Sequence, residues 1–176
     1  PEIDGLRSIA VLAVVFFHAD FLISFTIGNR SFEDLNLFKG GFIGVDVFFV
    51  VSGYLITSLI LNGLKKNSFT LANFYERRAR RILPALFTII IVSIPLSFIY
   101  LLPKQIEEYS ISVLSTLLFI SNIWFWIEDG YSYWAPINEF KPLLHTWSLA
   151  VEEQFYIFYP IFLIFIFSFF KKYFTE

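Results

Sequence analysis

Five ionisable residues lie within or beside long apolar runs of this sequence, namely Arg7, His18, Asp46, Glu152 and Glu153. A charged side chain at the centre of a membrane helix costs roughly 2.5 to 3.5 kcal/mol on insertion scales, so each of them needs an explanation. An imidazole can act as a general base or a nucleophile. A guanidinium can hold an anion, and a carboxylate can orient or neutralise a cation.

Arg7 and His18 are eleven positions apart, which in a helix is about 20° more than three full turns and a rise of roughly 16 Å. The spacing predicts that both lie on one face of a helix, with His18 about half a bilayer deeper. Taken singly, Arg7 also fits an interfacial anchor, and His18 fits a hydrogen bond between helices. The shared face favours a functional role for both.

The second apolar run begins with a glycine pair at small-xxx-small spacing, Gly40 and Gly44, which predicts close helix packing. Asp46 follows within the same run. It either meets water at the outer end of the helix or holds a basic partner in place. The pattern leaves these two interpretations open.

Four arginines fall within five residues at positions 77–81. Basic residues in short loops mark the cytoplasmic side of a membrane, so the cluster predicts an anchor. Arginine also grips phosphate through its planar fork. A second hypothesis therefore adds a binding site for a phosphorylated cytoplasmic ligand.

Residues 145–156 combine His145, Ser148, Glu152 and Glu153 at the start of an apolar run. In a helix, His145 and Glu152 share a face and Ser148 lies between them. One interpretation is an interfacial helix start whose acids are stabilised by the helix dipole; the other is a functional cluster. Two histidines and no cysteine make a poor ligand set, so we expect no metal site.

The composition indicates that this chain lies in a lipid bilayer rather than in water. Of its 176 residues 57% are hydrophobic and only 16% are charged, whereas soluble domains average about 25% charged. A soluble domain of this size buries only about 70% of the surface that its unfolded chain exposes. That is too little to hide so much apolar surface, so a soluble enzyme is excluded. A disordered chain is excluded as well. Zero cysteines exclude disulfides, and zero methionines lead us to expect a fragment of a longer polytopic membrane protein.

Five segments meet the requirement of about 20 mostly apolar residues for a membrane span: residues 6–27, 42–61, 82–102, 111–127 and 149–170. The fourth is the weakest and is either a span or a re-entrant or interfacial segment; we favour five spans. Six of the 13 basic residues fall between positions 65 and 81, which predicts that this stretch is cytoplasmic. The N-terminus is then cytoplasmic and residues 28–39 lie outside. Lys171 and Lys172 weakly oppose a fifth span that ends outside.

Four blocks, in order, give the sequence a resemblance to a known family. They are DGLRSIA at 4–10 with His18 completing Arg-x10-His, GGFIGVDVFFVVSGYLIT at 40–57, FYERRARRILP at 74–84 and PLLHTWSLAVEEQFY at 142–156. Together they resemble the membrane acyltransferase-3 family of bacterial O-acyltransferases, which act on lipopolysaccharide O-antigen, peptidoglycan and exopolysaccharides. The resemblance implies an all-α polytopic helix bundle of roughly ten helices, of which residues 1–176 supply about five. It leaves open whether an SGNH-type domain follows.

The resemblance also implies a reaction. An acyl group, most often acetyl, would pass from cytoplasmic acyl-CoA to a hydroxyl of an extracytoplasmic glycan, without a permanently bound cofactor. His18 would be the base or a transient acyl carrier, and Arg7 would hold the donor or stabilise negative charge. Glu152 and Glu153 would orient a histidine or neutralise an arginine. The expected substrate-binding residues are Arg78 and Arg81 for the CoA phosphates, with Asp46, His145 and Ser148.

The expected setting is the bacterial inner membrane, with the lipid bilayer, acyl-CoA and a glycan or glycolipid as partners and no nucleic acid. Whether the chain forms a homo-oligomer stays open. Two rival functions remain: a transporter or channel whose polar path is lined by Arg7, His18 and the two glutamates, and a non-catalytic member of the same fold.

Overall fold

A computed structural model describes the backbone of residues 2–19, 22–27, 30–36, 40–128 and 141–170, and the side chains of 5–19, 40–128 and 141–170. Lys171, Lys172 and parts of the loops at 28–39 and 128–141 lie outside the described residues. Within them the chain forms six helices and one two-stranded hairpin. In chain order these are α1 Glu2–His18, β1 Leu22–Ile27, β2 Arg30–Asn36, α2 Ile43–Lys65, α3 Leu71–Tyr100, α4 Pro103–Leu117, α5 Ser121–Glu128 and α6 Thr146–Phe169.

The chain divides into two compact units, Pro1–Leu61 and Asn62–Glu176. In the first unit, α1 is a shorter apolar helix that ends at His18. The first predicted span, residues 6–27, is therefore too long. Its last six residues form β1, which pairs in antiparallel fashion with β2, with Thr26 opposite Ser31. Residues 22–27 are mostly β-branched and aromatic, which suits a strand better than a helix.

Gly44 brings α1 and α2 together in the first unit. A Cβ on this residue would overlap the carbonyl oxygen of Ala10 and lie 2.9 Å from the Val14 side chain. Gly40, by contrast, has only the Ile43 side chain near it, at 4.0 Å. The predicted packing role therefore falls on Gly44, at one point of close backbone approach.

The second unit is built on α3, a 30-residue helix that begins eleven residues before the predicted third span. The arginines at 77–81 are consequently helical rather than part of a loop. Pro103 then starts α4, where a missing backbone N–H costs nothing. The Leu102 N–H donates to Gln105 Oε1 at 2.9 Å and so closes the first turn of α4.

The predicted fourth segment is not one continuous helix. Helix α4 ends at Leu117, Phe119 has a left-handed φ of 54°, and α5 begins at Ser121. A left-handed residue cannot continue a right-handed helix, so the apolar run at 111–127 splits in two. The sequence prediction of a single span there is wrong, and the run crosses no bilayer as one straight helix of the required length.

Three helices in the described part of the chain are long and apolar enough to cross a membrane: α2, α3 and α6. Their outward residues are large and apolar; Phe98 and Ile99 of α3 are 69% and 70% exposed, and Phe158 of α6 is 69% exposed. Surfaces of this kind suit lipid rather than water. The predicted all-α membrane helix bundle is confirmed, with a small hairpin inserted between α1 and α2.

Candidate active site

His18 is the last residue of α1, and its imidazole is held by the helix itself. Its Nδ1 lies 2.9 Å from the carbonyl oxygen of Val14, one turn earlier. Because a carbonyl oxygen can only accept, Nδ1 must be the protonated nitrogen that donates. In the neutral ring the unshared electron pair then belongs to Nε2, which is the nitrogen able to take a proton or attack an acyl carbon. The side chain is exposed on the helix.

Arg7 lies on the same helix, as the spacing requires, and is half-buried. Its guanidinium carbon is 4.7 Å from the centre of the Phe48 ring of α2. Such a cation–π contact is worth about 0.5 to 2 kcal/mol and fixes the direction of the guanidinium. The contact explains how α1 can carry a cation inside an apolar unit, and it argues against Arg7 as a simple surface anchor.

Asp46 lies in the first turn of α2 and is exposed. A carboxylate there is stabilised by the positive end of the helix dipole. This position fits the prediction that Asp46 meets water at a helix end. Its predicted substrate-binding role stays a prediction.

The arginine cluster at the start of α3 is not uniform. Arg77, Arg80 and Arg81 are exposed, and Arg80 forms an ion pair of 2.8 Å with Glu76 one turn earlier. An exposed pair of this kind stabilises the helix by only a few tenths of a kcal/mol. Arg78 is different because it is half-buried and points towards α6.

Arg78 lies between two aromatic rings. Its guanidinium carbon is 5.6 Å from the centre of the Phe74 ring and 5.0 Å from that of Tyr156. Phe74 and Tyr156 are 1% and 2% exposed, so the cation lies against a largely desolvated surface. Arginine tolerates this position because its guanidinium is weakly hydrated and stacks on aromatic faces.

The two glutamates of α6 have different surroundings. Glu152 accepts a hydrogen bond from the Tyr156 hydroxyl one turn later. Glu153 is half-buried, and its Oε1 has no hydrogen-bond partner within the described part of the chain. Arg78 and Glu152 both act electrostatically on Glu153. The structure therefore brings three predicted site residues, Arg78, Glu152 and Glu153, into one polar cluster between α3 and α6.

His145 and Ser148 lie at the start of α6. His145 is the exposed residue just before the first helical turn, and Ser148 Oγ donates to the His145 carbonyl oxygen at 3.1 Å. This bond gives Ser148 a local role in starting the helix. The predicted substrate-binding roles of His145 and Ser148 stay predictions.

Sequence reasoning missed a second polar group that holds α6 to the broken α4–α5 segment. Gln154 Nε2 donates to the Phe119 carbonyl oxygen at 2.8 Å, and the Asn122 amide pairs with the Gln154 amide at 3.2 Å. The Thr146 hydroxyl shares a 2.9 Å hydrogen bond with that of Thr116, and Ser121 donates to the Thr146 carbonyl at 3.0 Å. The signal in the sequence that could have revealed this group was the presence of polar residues inside an apolar run.

Sequence reasoning also missed two tyrosines at the contact of α3 with α6, Tyr75 and Tyr156. The Tyr75 hydroxyl donates to the Ile157 carbonyl oxygen at 2.8 Å, which joins α3 to α6 next to Arg78. A single tyrosine gives no distinct signal in a sequence that is 21% aromatic. Only the packing of α3 on α6 distinguishes these two tyrosines from the others.

Comparison with known proteins agrees with this arrangement of blocks. A family model described as an acyltransferase domain matches residues 1–175. The chain is 40% identical over 165 residues to the peptidoglycan O-acetyltransferase OatA of Listeria monocytogenes, covering 93% of this chain and 24% of the relative. It is 34% identical over 174 residues to the O-acetyltransferase OatA of Staphylococcus aureus, covering 97% of this chain and 26% of that protein.

The chain thus spans about a quarter of the length of the curated relatives it matches. No solved structure matches it significantly. Because the family model covers nearly every residue, including all four sequence blocks, the chain belongs to the membrane acyltransferase-3 family.

Proposed function

We propose that the protein containing this chain is a membrane O-acyltransferase. It moves an acyl group, with acetyl as the proposed group, from cytoplasmic acyl-CoA to a glycan hydroxyl outside the membrane. The observation that carries the proposal is the His18 imidazole, whose Nδ1–H is bound to Val14 so that Nε2 is the basic nitrogen. Family membership supports the reaction class. The name of the Listeria relative favours peptidoglycan as the acceptor.

In the proposed reaction Nε2 of His18 accepts the proton of the acceptor hydroxyl. The hydroxyl oxygen forms a bond to the thioester carbonyl carbon, the carbon–sulfur bond breaks, and the proton passes from the imidazolium to the CoA thiolate. Alternatively, Nε2 itself attacks the thioester carbonyl carbon, the carbon–sulfur bond breaks and CoA leaves as the thiolate. The acceptor hydroxyl oxygen then takes the acyl group as the carbon–Nε2 bond breaks, and its proton passes to the thiolate. Arg7 would hold the donor or stabilise the negative charge that develops on the carbonyl oxygen.

The arginines of α3 are proposed to bind the CoA phosphates. Arg81 is exposed and open to a ligand, whereas Arg78 is half-buried against Phe74 and Tyr156. Charge-assisted bonds from a guanidinium to phosphate are among the strongest in proteins. This role requires the start of α3 to face the cytoplasm, with the N-terminus on the same side and the protein in the bacterial inner membrane.

A transporter or channel is the second candidate. It is favoured by one observation, the buried Glu153 oxygen within a helix able to span a membrane. Ionisable groups in such helices often line a polar path. A conduction path needs no acyl transfer, so one assay separates the two functions.

The test uses the full-length protein in lipid vesicles with radiolabelled acetyl-CoA and peptidoglycan fragments. Wild type and a Ser110→Ala control, in which an exposed intrahelical hydroxyl is removed, should move label to the acceptor. His18→Ala should lose transfer while its amount in the membrane is unchanged. Absence of label transfer by the wild type, or full transfer by His18→Ala, would contradict the proposal.

A further inference from the structure

Tyr156 contacts two charged members of the polar cluster with two different parts of its side chain. Its hydroxyl donates to the Glu152 carboxylate, and its ring lies 5.0 Å from the Arg78 guanidinium carbon. The residue is 2% exposed, so its position is fixed by packing on all sides. A rigid aromatic residue with a polar end is well suited to hold two groups at once.

The two contacts join different helices. Glu152 and Tyr156 are one turn apart on α6, whereas Arg78 belongs to α3 and lies against Phe74 on its other side. Removing Tyr156 would therefore take a hydrogen-bond donor from a carboxylate on its own helix and an aromatic ring from a cation on α3. Phe74 cannot replace it because a phenylalanine has no hydroxyl to donate to a carboxylate.

We propose that Tyr156 is a positioning residue for acyl transfer, whose hydroxyl orients Glu152 and whose ring orients Arg78. This inference rests on the proposed function, in which Arg78 binds the donor, and on the expected role of Glu152 in orienting a histidine or neutralising an arginine. It adds a residue with two separable tasks.

The two tasks can be separated by substitution. Tyr156→Phe keeps the ring and removes only the O–H group, so Arg78 should stay in place while Glu152 loses its donor. Tyr156→Leu removes the ring as well, so both charged groups should move. We expect Tyr156→Phe to lower kcat about tenfold, as loss of a hydrogen bond to a charged group can, with the donor KM within about twofold of wild type. Tyr156→Leu should also raise the donor KM.

Tyr75→Phe is the matched control. It deletes the same phenolic O–H, also from the α3–α6 interface, but that hydroxyl donates to the Ile157 backbone rather than to a carboxylate. A purely structural effect of losing one hydrogen bond between these helices should be the same for both variants. We expect Tyr75→Phe to leave kcat within about twofold of wild type, because it does not touch a charged group.

The closing experiment measures kcat, donor KM and Tm for the full-length protein in lipid, including a cycle of Tyr156→Phe, Glu152→Ala and the double variant. If Tyr156 acts through Glu152, the double variant should show the kcat and the Tm of Glu152→Ala alone. Additive losses would overturn the inference, as would equal kcat for Tyr156→Phe and Tyr75→Phe. If wild type transfers no acyl group, the proposed function fails, and the Tm cycle still decides whether Tyr156 and Glu152 act together.

Discussion

The hydrogen of Gly44 is all that separates the backbone of α2 from the carbonyl oxygen of Ala10 on α1. A methyl group at this position would require the two helices to part. Since Phe48, one turn after Gly44, is the residue that lies under Arg7, the crossing also sets where the Arg7 guanidinium is held.

Substitution of Gly44 should therefore loosen the first unit. We expect Gly44→Ala to lower stability by about 1 to 3 kcal/mol, the usual cost of overpacking. Gly53→Ala is the control because nothing lies within 4 Å of a Cβ at that glycine of the same helix. Thermal unfolding in detergent measures both; equal Tm values for the two variants would show that the close approach is not required.

Moving the histidine tests whether its direction on α1 matters. Phe17→His combined with His18→Ala keeps an imidazole near the same depth but turns it by about 100°. We expect no acyl transfer by this variant, and none when the histidine is moved to position 19 instead. Because His18 and Ala19 are exposed, Tm should change little when the histidine is moved to position 19, whereas Phe17→His also removes a half-buried ring that contacts Phe42. Full activity in either shifted variant would mean that the shared face of Arg7 and His18 is irrelevant.

Replacing arginine by lysine separates anchoring from phosphate binding. Lysine satisfies the positive-inside rule but lacks the planar fork. Arg78→Lys with Arg81→Lys should keep insertion and topology, yet weaken acyl-CoA binding by about 1 to 3 kcal/mol for each charge-assisted hydrogen bond that the lysine fails to make. Arg80→Lys, on the same helix but paired with Glu76, is the control.

The measurement for the arginine variants is a donor titration on purified full-length protein in lipid. The apparent affinity for the donor should fall more than that for the acceptor, because only the donor is cytoplasmic in the proposed scheme. If the donor titration curve of the double variant overlays that of the wild type, the arginines serve only as membrane anchors and the phosphate-binding role is wrong.

The orientation of the chain is testable without an activity assay. Six basic residues between positions 65 and 81 predict that this stretch is cytoplasmic and that residues 28–39 lie outside. In a chain without native cysteines, Lys66→Cys should resist an impermeant thiol reagent in intact cells, whereas Asn29→Cys should react. Labelling at position 66 would reverse the predicted topology.

The buried hydroxyl of Thr146 should contribute more to the stability of the protein than an exposed hydroxyl does. It bonds the Leu143 carbonyl at 2.7 Å and the Thr116 hydroxyl at 2.9 Å, and Thr146 is 2% exposed. Thr146→Val removes both hydrogen bonds and leaves the buried Thr116 hydroxyl without this partner, which we expect to cost about 1 to 3 kcal/mol. Thr88→Val is the matched control, because the exposed Thr88 hydroxyl donates to the Pro84 carbonyl of its own helix. The difference in Tm between the two variants tests the network.

Much of the membrane architecture was predictable from local properties of the chain. In lipid a helix satisfies the hydrogen bonds of its own backbone, so apolar runs of sufficient length predict membrane helices. Helices α2, α3 and α6 confirm this prediction. The same reasoning failed for residues 6–27 and 111–127. Apolar content alone does not reveal that a run turns into a strand after His18 or breaks at Phe119.

The helical class, the family and the shared helix of Arg7 and His18 follow from the sequence alone, because they depend on residue types and spacing along the chain. The difference between Arg78 and its exposed neighbours, its contact with Tyr156, and the different surroundings of Glu152 and Glu153 emerge from the folded arrangement. Residues 78 and 156 are far apart in sequence, so no local pattern encodes their contact. It exists because α3 and α6 pack against each other and enclose the few polar groups that lipid cannot solvate.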